Sequence, residues 1–187
     1  MKPLPKFESL QGENWVQHEY PQAYSIESIK DGIKRLCIAA SHNGSELVRQ
    51  LSGALSEPFS ALYILVVGRG TSKEGRYQSP QMSRQETDTF FGDHATFFDE
   101  DGRHHVWLFS YSNKATLAYD RHNVIYAYGP IDEYQKILGR IGYQQVDSIK
   151  IPSPHGHQYH AEFDENERKI ASSAHWIYSP LRDVDSN

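Results

Sequence analysis

The chain has 187 residues and a mass of 21.5 kDa, room for one domain of ordinary size. Its formal charge is −5, its pI is near 6.0 and no long run of Lys or Arg occurs, which argues against nucleic acid or a membrane surface as a partner. Leu, Ile, Val and Phe make up about a fifth of the chain, close to the level of about 20% below which chains stay disordered, so the core must also draw on 12 Tyr and 3 Trp, whose rings each bury roughly 150–250 Å².

Compartment is read from the same inventory. A single cysteine, Cys37, rules out an intrachain disulfide, and the opening Met1-Lys2-Pro3-Leu4-Pro5-Lys6 lacks the apolar segment of a secretory signal. Both point to the cytoplasm. The longest strongly apolar run, residues 62–67, is far short of the roughly 17 residues that a membrane-spanning helix needs.

Residues 1–24 mix prolines with isolated aromatics and predict an extended N-terminal arm, residues 25–178 a single α+β domain, and residues 179–187 a frayed tail. From Ser25, apolar residues recur at spacings of three and four (Ile26, Ile29, Ile33, Leu36, Cys37, Ala40), which predicts a helix. Asn43 and Glu46 have capping-box spacing ahead of Leu47, Val48, Leu51 and Leu55, which predicts a second helix packed on the first. Residues 62–67 predict a strand covered on both faces, and residues 68–80, with three glycines and Pro80, a loop.

Ser83 and Glu86 form another capping box before a stripe of Phe90, Phe91, His94, Phe97 and Phe98, a helix that packs by its phenylalanines. The runs 105–111, 116–119 and 124–128 are β-patterned with short turns between them and predict an antiparallel meander. Gly129-Pro130 opens a helix that Gly142 ends, and residues 146–151 read as a last strand. Asp164 and Glu167 have capping-box spacing ahead of a short helix. The expected fold is therefore a single α+β domain with a mainly antiparallel sheet of about five strands flanked by helices.

Chemistry concentrates in His155-Gly156-His157-Gln158-Tyr159-His160. Residues two apart on an extended backbone project from one face, so His155 and His157 can converge, with His160 swinging in from the next turn. Three nitrogen ligands and an open position are the arrangement of catalytic zinc, and Asp164 or Glu162 would complete a closed shell. The expected metal ligands are thus His155, His157, His160 and Asp164, for zinc or another divalent transition metal, set against the plainer reading of solvated histidines beside prolines. Asp120, His122 and Asn123 read as turn chemistry, although His104 or His122 would reach residues 155–160 if the strand ends meet there. His94 reads as a packed histidine.

The string 155–160 is similar to the His-x-His-x-Asp-His ligand motif of metallo-β-lactamase-like hydrolases, but Tyr159 stands where the aspartate belongs. His155, His157 and Glu162 have cupin spacing, but Ile149 and Lys169 stand where the flanking glycines belong. No family is assigned. Gly68-Arg69-Gly70 lacks the rest of a dinucleotide fingerprint, and no phosphate-loop lysine motif or Gly-x-Ser-x-Gly elbow occurs. Two readings remain. One is a non-catalytic binding or protein-interaction module, such as a homodimer, using strand aromatics Trp107, Phe109, Tyr111, Tyr126 and Tyr128. The other is a metal-dependent hydrolase with a His-x-His-x-x-His site.

Overall fold

The computed structural model describes residues 3–70 and 72–185. Its first hairpin, β1 (Phe7–Gln11) and β2 (Asn14–Gln17), is built from the predicted arm. The segment expected as the first helix is instead a second hairpin, β3 (Ala23–Ser28) and β4 (Lys34–Ala39), with Ile26 opposite Leu36 and Ser25 opposite Cys37. The reversal takes Asp31 and Gly32 to φ of 64° and 73°, a left-handed pair that Asp-Gly adopts at low cost and a helix cannot contain.

After α1 (Gly44–Ser52), β5 (Phe59–Leu65) follows as expected, and the predicted loop contributes β6 (Gly75–Gln78). Helices α2 (Arg84–Asp93) and α3 (Ala95–Glu100) break at His94. The meander is β7 (His104–Ser110), β8 (Ala115–Tyr119) and β9 (Val124–Tyr128). Next come α4 (Ile131–Arg140), β10 (Gln144–Gln145), β11 (His155–His157), α5 (Asp164–Ala171) and β12 (Ile177–Ser179). The strand expected at 146–151 does not form.

These strands make a nine-stranded sheet in the order β10-β3-β4-β9-β8-β7-β5-β6-β12 and a separate three-stranded sheet, β11-β1-β2. All neighbours are antiparallel except β10 and β3, so the large sheet is mixed. This corrects the single antiparallel sheet of about five strands. The hairpin that stands in place of the expected helix adds two strands, and β6, β10 and β12 are too short for periodicity to register. No helix among the described residues is long and apolar enough to cross a membrane.

Alternation along the strands decides what covers each face. Leu36, Ile38, Tyr63, Leu65, Val106, Leu108, Leu117, Ile125 and Ala127 are buried with Leu47, Leu51, Phe91, Phe98, Tyr134 and Leu138 from the helices, the Leu, Ile, Val and Phe side chains each contributing roughly 1.5–3 kcal/mol of burial. Contact is closest at Gly44, where a Cβ would lie 2.1 Å from Cζ of Tyr119. The capping box at Ser83 forms, with Glu86 N donating to Ser83 Oγ and Ser83 N to the Glu86 carboxylate. That expected at Asn43 does not. Ser45 N and Oγ instead donate to Asp99 Oδ1 on α3, at 2.9 Å each.

The opposite face carries Trp107, Tyr126, Tyr128, Arg35 and Asp120, and it is the floor of an open cleft of about 1020 Å³. Helices therefore cover one face only. At the rim, Asp185 is buried, pairs with Arg76 at 2.7 Å and accepts through its backbone carbonyl from His105 Nε2 at 3.1 Å.

Candidate metal centre

The β8–β9 turn is built by one carboxylate. Asp120 Oδ1 accepts from the amides of His122 and Val124, both at 2.9 Å, and Oδ2 lies 2.9 Å from Nδ1 of His122. Asn123 occupies a left-handed φ of 59°, and its Oδ1 accepts from Tyr119 Oη at 2.8 Å. Burial works to raise the Asp120 carboxyl, but the hydrogen bond and charge of His122 outweigh it and hold the group below its ordinary range. An ionised Asp120 accepts a hydrogen bond from His122 Nδ1–H, which makes Nε2 the ring nitrogen available to a metal.

The other two imidazoles come from the small sheet. β11 pairs with β1 so that His157 lies opposite Phe7 and His155 opposite Ser9, which places both rings on one face. The fully buried Phe7 ring is 5.4–5.5 Å, centroid to centroid, from His122, His155 and His157. The three imidazoles are 4.9–5.6 Å from one another, and each offers a ligand atom in a group lying within 4.8 Å. Tetrahedral coordination with bonds of 2.0–2.1 Å separates ligands by roughly 3.4 Å, so ring rotations of about an ångström close the site.

Proton placement favours ligation. Nδ1 of His155 is 2.8 Å from the Pro152 carbonyl, an acceptor, so that nitrogen carries a hydrogen and Nε2 is the one available to a metal. His157 Nδ1 is buried and has no hydrogen-bond partner among the described residues. Burial, reinforced by the charge of Arg121, pushes His157 down to about 2, so its ring is neutral. A buried imidazole nitrogen without a partner costs free energy that a bound cation would recover.

Lys6 supports the cluster from the core side. Its Nζ donates to the carbonyls of Phe98 and Asp120 at 2.8 and 3.0 Å and lies 3.8 Å from the Tyr119 ring centroid. Burial pushes it down to about 8. Gly102 lets β11 pass closely, since a Cβ there would lie 2.9 Å from Cβ of His157.

The expected residues divide. His155 and His157 are in the cluster, while His160 Nε2 is 2.8 Å from the Pro5 carbonyl. Asp164 accepts from Arg103 Nη1 at 2.9 Å and Arg69 Nε at 3.1 Å, and Glu162 is exposed. His104 is sealed against Tyr63, Phe97 and Phe98 and does not reach the group. The third member is His122, whose sequence signal was a hairpin turn with Asp two residues before it. Its chemistry is that of the predicted turn, with the ring directed across the gap between the two sheets.

Compared with family models, curated proteins and solved structures, the chain gives no significant match. The chain is an α+β scaffold that brings three histidines together beside an open cleft.

Proposed function

We propose that the protein is a metal-dependent hydrolase holding zinc, or a similar divalent transition metal, on His122, His155 and His157. The observation that carries this reading is the convergence of the three imidazole nitrogens within 4.8 Å. Three neutral ligands leave a tetrahedral ion one open position and its full positive charge, which activates a bound water near neutral pH. Asp120 orients His122, and the Pro152 carbonyl orients His155. The adjoining cleft, bordered by Asp120 and His122, supplies room for a substrate, with the strand aromatics as its platform. A cytoplasmic location belongs to the same proposal and is supported by the lone, buried Cys37.

Elemental analysis of protein purified without a histidine tag and loaded with zinc tests the reading. About one equivalent of metal is expected, lost in His157→Ala together with hydrolysis of a p-nitrophenyl ester or phosphodiester. His160→Ala keeps the metal, because that ring bonds to Pro5. A wild-type protein that retains no zinc, or metal lost equally in both variants, refutes the assignment.

A further inference from the structure

Strand register gives the cleft two chemically different ends. Asp120 and His122 follow β8, at the end shared with the histidine cluster. At the other end, Thr116 lies opposite Tyr128 and Leu36 opposite Ala127, which brings Lys114 from the β7–β8 turn and Lys34 from the start of β4 to the mouth beside Gly129. Both lysines are exposed, and both line the cleft. The four residue steps from Thr116 to Asp120 span about 13 Å of strand.

The floor between these ends is aromatic and rigid. Arg35 Nε pairs with Glu27 at 2.7 Å, its Nη1 donates to Tyr128 Oη at 2.7 Å, and Cζ lies 4.1 Å from the Tyr126 ring centroid. Anchored beside Tyr126 with Glu27 offsetting its charge, Arg35 serves as floor and leaves Lys34 and Lys114 as the available cations. Trp107 lies on the neighbouring side, with Arg76 5.5 Å from its ring centroid. The cleft, at about 1020 Å³, is at the upper end of the size range of small-molecule sites.

We infer that the cleft binds an elongated organic anion, its aromatic or apolar body lying on Trp107 and Tyr126, its carboxylate at Lys34 and Lys114, and its other end directed toward His122. Only the last placement rests on the hydrolase reading. The aromatic floor provides area, and the two ammonium groups select charge, since a carboxylate offers each of them a charge-assisted hydrogen bond. A neutral isostere of the same shape keeps the first interaction and loses the second.

Calorimetric titration of the full chain with 6-phenylhexanoate and with 6-phenylhexanamide tests this. The acid should bind at least about tenfold tighter than the amide. Lys34→Gln combined with Lys114→Gln should abolish that preference while leaving amide affinity and circular dichroism unchanged, as both positions are exposed. The acid preference should persist in EDTA and in His157→Ala, even if the metal reading fails. No binding of the acid, equal affinity for acid and amide, or an undiminished preference in the double variant overturns the inference. A preference that disappears with EDTA also overturns it, because the carboxylate would then be bound by the ion.

Discussion

Asp120 and His122 are joined twice, by the 2.9 Å contact of Oδ2 with the imidazole Nδ1 and by the 2.9 Å bond from the His122 amide to Oδ1. The carboxylate that folds the turn therefore also sets the tautomer of the ring. Asp120→Asn can keep an oxygen on the backbone amides, but it then presents an NH₂ group to Nδ1 and removes the charge. Metal affinity, measured by chelator competition, should fall about 10–100-fold, the usual effect of losing such an orienting partner. An unchanged affinity in a folded variant would remove His122 from the ligand set.

Among the described residues, Arg103 is one of the largest fully buried side chains. It forks onto Asp101 through Nε and Nη2 at 2.8 and 2.9 Å, reaches Glu167 and Asp164 through Nη1 at 2.6 and 2.9 Å, and donates to the His160 carbonyl at 2.7 Å. Arg103→Met strands Asp101 and Glu167 in the interior without their cation, and urea unfolding should show a loss of about 3–5 kcal/mol. Arg103→Lys should recover only part of that, because one ammonium cannot reproduce the fork. A loss below about 1 kcal/mol for the methionine variant would contradict this account.

Asp99 gives stability a pH dependence of defined sign. Burial pushes its carboxyl up to about 6, against the opposing Ser45 hydrogen bond and Lys6 charge, whereas an unfolded carboxyl titrates near 3.8. Between these values the folded chain binds more protons than the unfolded chain, so this group stabilises increasingly as pH falls through the window, and that contribution is lost as pH rises through 6. Wild type should therefore gain on Asp99→Asn between pH 6 and 4, by at most about 3 kcal/mol. Urea titrations at several pH values measure it, and an opposite slope would show that Asp99 is not desolvated.

Gly44→Ala should destabilise the fold although alanine is the better helix former. The added Cβ meets the Tyr119 ring at 2.1 Å, and that ring is fully buried and fixed by Asn123. Overpacking of this kind costs about 1–3 kcal/mol, against a helix-propensity gain of about 1 kcal/mol. A lowered melting temperature is expected, and an unchanged or raised one would mean that the helix and sheet separate without penalty.

Features with local signals were legible in the sequence. Ser83 with Glu86, the three meander strands and the helix between Pro130 and Gly142 all carry their own start and stop chemistry. The β3–β4 hairpin was not, because Ile26, Ile29, Ile33 and Leu36 imitate a helical face when two alternating strands are joined by a turn, and only Asp31-Gly32 marks that turn. Asp164 and Glu167 have capping-box spacing, yet both accept from Arg103, a partner distant in sequence. The candidate site divides in the same way. His155 and His157 share a strand and were legible as a pair, while selecting His122 over His160 required knowing that the β8–β9 turn lies against β11.

The cluster draws its imidazoles from both sheets, His122 from the turn closing β8 onto β9 and His155 and His157 from β11 of the small sheet. An ion held between them would be a cross-link, joining the nine-stranded sheet to a three-stranded one that has little helical cover of its own. Chelation should then be visible as faster amide exchange confined to β1, β2 and β11, with the helical layer unaffected. An ion that would activate water in the proposed reaction would in this way also serve as the clasp that keeps the N-terminal hairpin in place.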